Sequence, residues 1–271
     1  MPVERVVLIT GASSGIGLDT ACLLSRRGFR VFGTRLPGEG FERDEFAVLE
    51  LDVRSDESVA ACVGEVMAAA GRLDVLCNNA GFGLVGPVEE TSIDEAKAVF
   101  ETNYFGVIRM TRAALPIMRR QRRGLVVNIS SVAGCLGVPF EAHYCATKLA
   151  IASLTAALRH EVAPFGIKAV VVTPGYVRTS FYTGLRTAAG RIGEYDPGRD
   201  RAMAAFDRSA RTGSEAPAIA KVIVRVIEAN SPQPRYWAGL DAWLYALVHR
   251  LVPDPLMDWI MRREFQPPRL P

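Results

Sequence analysis

The sequence predicts a single α/β domain spanning residues 1–271, built as a doubly wound parallel sheet with helices on both faces. Three observations predict it. Short β-branched runs alternate with longer amphipathic segments for most of the chain. The run Thr10-Gly11-Ala12-Ser13-Ser14-Gly15-Ile16-Gly17 joins a strand to a helix through glycines. Hydrophobic residues make up 49% of the 271, enough for a large buried core.

The first strand, Val6–Thr10, leads through the glycine turn into a helix over Ile16–Arg27 that stops at Gly28. Further strands fall at Arg30–Gly33, Phe46–Leu51, Val75–Asn78, Leu125–Ser130 and Lys168–Thr173. Between them lie helices over Glu57–Ala70, Ile93–Met118 and Tyr144–Phe165. Asp56 and Ser92 read as N-caps, Gly71 and Gly166 as stops. Six strands joined by crossover helices form one doubly wound sheet. The rhythm breaks at 176–217, which is rich in Gly, Arg, Thr and Ala and only weakly helical in spacing. Following a strand C-terminus, it is a candidate lid on a ligand crevice. A helix over Ala218–Ala229, a short strand near Tyr236-Trp237 and an apolar C-terminal helical extension over 241–271 complete the chain. The extension carries Trp243, Leu244, Trp259 and Ile260; ordinary core packing is its default reading, and a cleft cover, a subunit contact or a peripheral membrane contact are the alternatives.

A formal charge of +3 gives no reason to expect a nucleic-acid partner. Arg119, Arg120, Arg122 and Arg123 read as a solvated helix end, where cations suit the dipole. The five cysteines are scattered, with no Cys-x-x-Cys pair, which predicts reduced thiols in a cytoplasmic protein, no metal site and no disulfide framework. Glu4 and Arg5 stand before a short apolar run, so no signal peptide is expected, and no stretch reads as a transmembrane segment.

The chemistry concentrates in a few motifs. Glycines let the backbone approach phosphates, and a helix N-terminus offers free N–H groups and partial positive charge. Tyr144 and Lys148 are four apart at the start of a helix, on one face, in a chain with only four lysines. An ammonium beside a phenol is expected to lower its ordinary pKa of about 10 towards a general acid/base range. Ser131 stands just beyond a strand end, Asn78-Asn79-Ala80-Gly81 ends another, and Asn103 sits mid-helix, where asparagine is disfavoured.

These motifs, in this order and with Pro174-Gly175-x-Val177-x-Thr179, resemble the short-chain dehydrogenase/reductase family over residues 5–240. Gly81–Pro87, Val138-Pro139-Phe140 and Ala163–Gly166 resemble its branch of 17β-hydroxysteroid and retinol dehydrogenases. The resemblance implies a Rossmann-type fold and a catalytic set of Asn103, Ser131, Tyr144 and Lys148. In it Tyr144 exchanges the proton, Lys148 tunes Tyr144 and holds the nicotinamide ribose, Ser131 steadies the oxyanion and Asn103 holds a relay water. It further implies a dinucleotide held by Gly11, Ser13, Ser14, Gly15, Ile16 and Gly17, by Asp52 and Val53 at the adenine, by Asn79, Ala80 and Gly81 at the ribose, and by Pro174, Gly175, Val177 and Thr179 at the nicotinamide. Thr34 and Arg35 end the second strand where an NAD enzyme usually carries an acid. A guanidinium suits a 2′-phosphate, so NADP(H) is the expected cofactor. Leu136, Val138, Phe140, Tyr176 and Phe181 are expected to line a pocket for a lipophilic ketone or secondary alcohol. Relatives of this kind form homodimers or homotetramers. Two other readings use the same scaffold: a non-catalytic dinucleotide-binding regulator, and an epimerase or dehydratase.

Overall fold

The computed structural model describes residues 4–182 and 184–265. Its centre is a seven-stranded parallel sheet of β1 (Val6–Ile9), β2 (Arg30–Arg35), β3 (Ala47–Glu50), β4 (Val75–Asn78), β5 (Gly124–Ile129), β6 (Ile167–Pro174) and β7 (Arg235–Ala238). Their order is β7-β6-β5-β4-β1-β2-β3. The chain runs outward from β1 to β3, then crosses back to β4 on the other side of β1. That reversal leaves a crevice at the carboxyl ends of β1 and β4, where ligands of such sheets bind.

The strand residues alternate between two cores, as a period of two requires. Val7, Ile9, Cys77 and Val127 pack with α1 (Gly15–Ser25) and, further along, α7 (Ala216–Glu228). Val6, Leu8, Leu76 and Val126 face α2 (Asp56–Ala70), α4 (Gly106–Gln121) and α5 (Ala142–Val162). The central strands β1, β4 and β5 are buried along their whole length, which explains their near-continuous apolar sequences.

All seven expected strands form in the main sheet; two unexpected two-stranded pairings, Leu84–Val85 with Arg186–Thr187 and Val177–Arg178 with Ser214–Glu215, join them, and the larger differences lie in the helices. Ser55, and not Asp56, caps α2; its hydroxyl accepts from the Ser58 N–H at 3.1 Å, which makes Asp56 the first helical residue. Ser92 caps α3 (Ile93–Phe100) in a reciprocal capping box with Glu95. The single helix expected over Ile93–Met118 is two, α3 and α4, joined by a π-helical turn at Glu101–Phe105 that contains Asn103. The irregular stretch expected over 176–217 holds a regular helix, α6 (Asp196–Thr212). Its buried face is Gly198, Arg199, Ala202, Ala205 and Phe206, and Phe206 is the one large apolar side chain among them, too little for an apolar stripe in the sequence. Arg199 can be buried because it pairs with the buried Glu90 and with Asp196. The C-terminal extension forms α8 (Leu240–Leu251) and α9 (Asp254–Phe265); its last residues, 266–271, lie outside the described ones.

Candidate active site

The glycine turn between β1 and α1 is built for close backbone approach. Gly11 has φ +65°, and a Cβ there would lie 2.9 Å from the Ala80 Cα. A Cβ on Gly17 would lie 2.6 Å from the Asn79 amide nitrogen and would also run into the Gly11 carbonyl. Three side chains fix this geometry. Thr34 accepts from the Gly11 N–H at 3.1 Å. Thr10 accepts from the Asn79 and Ala80 N–H groups, both at 3.0 Å. The Asn79 amide donates to the carbonyls of Thr10 (3.0 Å) and Gly11 (2.9 Å). Thr34 is therefore occupied in holding the turn, a task its sequence position does not reveal. Ser14 is the N-cap of α1 yet makes no side-chain cap, so the first-turn N–H groups have no covering hydroxyl.

The turn opens onto a cavity of about 420 Å³. Gly11, Ser13, Ser14, Gly15 and Ile16 line it at the turn, and Thr34, Arg35, Asp52 and Val53 at the ends of β2 and β3. Asn79, Ala80 and Gly81 line it past β4; Pro174 ends β6 and Gly175, Val177 and Thr179 follow it, and Tyr144 and Lys148 come from α5. Gly17 does not line it; it lies beneath, packed on Asn79. Asp52 is clamped by Arg54, whose hydrogen bonds hold its carboxyl below the usual carboxylate range. Arg35 is paired with Glu50 at 2.9 Å and with Glu42 at 3.6 Å, both partners being largely exposed.

Two hydrogen bonds draw α5 against the end of β5. The Ser130 hydroxyl donates to the Lys148 carbonyl at 2.8 Å, and the Lys148 ammonium donates to the Ile129 carbonyl at 3.0 Å. They bring Ser131, Tyr144 and Lys148 together, with the Tyr144 hydroxyl hydrogen-bonded to Ser131. Asn103 is fully buried, accepts from the Phe82 N–H (3.0 Å), and donates to the Phe82 carbonyl (2.9 Å) and the Thr147 hydroxyl (3.3 Å). A Cβ on Gly81 would lie 2.9 Å from the Asn103 Oδ1 and 3.8 Å from the Lys148 Nζ, so both atoms sit beneath the same glycine. The π turn supplies the extra residue that aims Asn103 inward.

The electrostatics differ from the expectation for an isolated Tyr–Lys pair. Burial pushes the Tyr144 hydroxyl well above its ordinary value, and the nearby Glu141 charge adds to this; the Ser131 hydrogen bond acts the other way. The Lys148 ammonium is 5.7 Å from the Tyr144 ring centre and spends a proton on Ile129. Burial lowers Lys148 itself to about 8.

A second cavity, of about 230 Å³, lies on the other side of Tyr144. Ser131, Tyr144, Gly175, Phe181 and Tyr182 bound both cavities. Of the five residues expected at the substrate, Leu136, Val138, Tyr176 and Phe181 line it. Phe140 does not. Its backbone turns left-handed (φ +67°) and its ring packs against Gly198 of α6. Sequence reading did not single out Glu141 or Tyr182. It also missed how far the far wall depends on α9, through Met257, Ile260, Met261 and Phe265. The apolar character of the extension was the available signal.

The profile of the family described as short chain dehydrogenase matches residues 5–189. The chain belongs to the short-chain dehydrogenase family. This dehydrogenase is 36% identical over 263 residues to a 3-ketodihydrosphingosine reductase of Bacteroides thetaiotaomicron, covering 95% of this chain and 97% of the relative. It is 38% identical over 253 residues to retinol dehydrogenase 8 of Bos taurus, covering 85% and 80%, a relative in the branch that the motifs resemble. Among solved structures it is similar to a short-chain dehydrogenase from Streptomyces avermitilis, with TM-score 0.84, 33% identity and coverage of 96% and 97%. The family is one of oxidoreductases that use a nicotinamide dinucleotide, and the glycine cradle, the uncapped α1 and the 420 Å³ cavity fit such a group.

Proposed function

We propose that this short-chain dehydrogenase is an NADP(H)-dependent oxidoreductase that interconverts a ketone and a secondary alcohol on a lipophilic substrate. The observation that carries the reading is the wall of Tyr144 and Ser131 shared by the two cavities. One cavity is lined by the glycine turn and the other mainly by apolar side chains, so a hydride donor and a carbonyl would meet at those two hydroxyls. The nicotinamide supplies or takes up the hydride. Ser131 holds the carbonyl oxygen and Tyr144 gives it the proton. Lys148 sits behind Tyr144 and holds the ribose hydroxyls. Asn103 keeps the Gly81-Phe82 turn in place; the spare lone pair on its Oδ1, under the same glycine as the Lys148 ammonium, accepts the relay water. A lipid ketone in the name of one relative and retinol in that of another support a lipophilic substrate. The test is loss of NADPH absorbance with a panel of long-chain, retinoid and steroid ketones; no turnover with any of them would overturn the reading.

The NADP(H) preference rests on Arg35 and on the absence of an acid at Thr34. Releasing Arg35 from Glu50 and Glu42 costs little, because exposed pairs contribute only about 0–1 kcal/mol. Arg35→Ala is expected to raise the NADPH KM by about tenfold or more while leaving the NADH KM nearly constant. Equal effects on both cofactors would remove the 2′-phosphate assignment.

Lys148 gives a pH prediction. Its ammonium is lost above pH 8, where its buried value of about 8 lies, so kcat/KM should fall above that pH with the slope of one proton. The unfolded chain keeps that proton to about pH 10.4, so the same residue makes the fold more stable as pH rises from 8 to 10. A pH–rate profile and thermal melts taken together should show the two trends running in opposite directions. Within 176–217 the lid is the part around Tyr176–Tyr182, which bounds both cavities, whereas α6 is anchored through Arg199. Exposed Phe105, at the end of the π turn, and Leu149 suit a homo-oligomer contact through that turn and α5, and exposed Trp243 and Trp259 suit a peripheral membrane contact in a cytoplasmic protein.

A further inference from the structure

The substrate cavity contains an ionisable group that the reduction itself leaves unused. Glu141, at the N-terminal boundary of α5, is 5% exposed and lines the 230 Å³ cavity. Its side chain does not cap α5, and among the described residues its carboxylate has no hydrogen-bond or ion-pair partner. No Lys, Arg or His is found among the described residues that line this cavity. Its charge acts on Tyr144, Tyr176 and Tyr182, three phenols that bound the same space. An unpaired buried carboxylate is costly, and a fold retains one most readily where a ligand completes it.

We propose that Glu141 is the recognition site for an ammonium group, so that the preferred substrate is an aliphatic ketone bearing a primary amine close to the carbonyl. This deepens the oxidoreductase reading and rests on it. Glu141 is the N-cap of α5, three residues before Tyr144, and both line the same cavity. A cation held by Glu141 therefore belongs near the carbonyl that Tyr144 serves. The rest of the molecule is an apolar chain, because most of the remaining wall is apolar, with Leu136, Val138, Met257, Ile260, Met261 and Phe265 prominent in it and Ser209 and Tyr245 its polar members. Burial raises Glu141 to about 7, so the charged form that binds an ammonium takes over as pH passes through neutrality.

The experiment has two arms. In the first, octylamine and 1-octanol are titrated calorimetrically into the protein at pH 5.5 and pH 8. Octylamine is expected to bind at least about tenfold more tightly at pH 8 than at pH 5.5, and octanol equally at both. The other groups facing Glu141 stay constant over that interval, since Tyr144, Cys145, Tyr176 and Tyr182 are all pushed upward. His143, two residues along α5, does not line the cavity, and its contribution is separated by Glu141→Gln, which is expected to abolish the pH dependence. In the second arm, NADPH-dependent reduction of a long-chain 2-amino-3-ketone is compared with that of the amine-free ketone of equal length. Glu141→Gln is expected to cut kcat/KM for the amino ketone at least about tenfold and to raise it for the neutral one.

The same variant should melt several degrees higher at pH 8, with little gain at pH 5. Raising an acid from 4.5 to about 7 costs the fold stability between those values and in full above them. A fall in both substrates together, or a lower melting point at pH 8, would show a structural role and overturn the proposal. So would octylamine binding that is independent of pH. Turnover of neither ketone, with octylamine binding intact, would instead defeat the oxidoreductase reading.

Discussion

Tyr144→Phe is expected to reduce carbonyl turnover by about a thousandfold or more while NADPH binding persists. The two parts of this result have separate causes. The ring of Tyr144 packs 5.7 Å from that of Phe181, and its removal would open a hole between the two cavities; phenylalanine keeps that ring. Only the hydroxyl is lost, and with it the bond to Ser131 and the proton for the substrate oxygen. The deletion affects no group of the glycine turn, so nucleotide affinity should change little. Stopped-flow absorbance at saturating ketone, with fluorescence titration of NADPH, measures both. Residual turnover above about a tenth of wild type would mean that another group supplies the proton, and the role given to Tyr144 would fall.

Gly17→Val is expected to abolish dinucleotide binding and to destabilise the fold by about 2–4 kcal/mol. Already the first added carbon would come within 2.6 Å of the Asn79 amide nitrogen and press on the Gly11 carbonyl. Asn79 is the clamp that ties the turn to the end of β4 through the Thr10 and Gly11 carbonyls. Pushing it away frees the turn, and with it the N–H groups aimed at the pyrophosphate. Gly64→Ala in α2 is the matched control: a Cβ there meets nothing within 4 Å, so it should be neutral or stabilise by up to about 1 kcal/mol. Wild-type NADPH affinity in Gly17→Val would show that the close packing of Asn79 and Gly17 is not what shapes the turn.

What could be read from the sequence follows from how each feature is encoded. The central strands are buried on both faces, so runs such as Val6–Ile9 and Val75–Asn78 announce themselves by composition. Tyr144, Lys148, Ser131 and the glycine turn sit at fixed offsets from those strands and were legible for that reason. Features that depend on two distant segments were not. Helix α6 buries Arg199, which a reader of one segment assigns to solvent; its partner Glu90 lies 109 residues away. The π turn at Asn103 breaks a pattern that is apolar on both sides of it, so it reads as one helix. Glu141, a charged residue at a helix start, shows nothing in its own segment that marks it as buried; the cavity it lines is walled by residues of α6, α8, α9 and the 176–182 stretch, all distant in sequence. Phe140 shows the reverse error. It has the right character for a pocket wall, but its left-handed backbone sends it to α6.

The family profile ends at residue 189, whereas Ala205, Ser209, Tyr245, Val248 and the residues of α9 that wall the substrate chamber all lie after it. The proposed hydride and proton chemistry thus falls in one contiguous two-thirds of the gene, and the remainder contributes one whole side of the chamber that would admit the substrate. Such a division lets natural variation or recombination exchange the tail and so change the clientele, with the reaction inherited intact. Grafting the last sixty residues or so of one homologue onto the body of another would exploit the same seam.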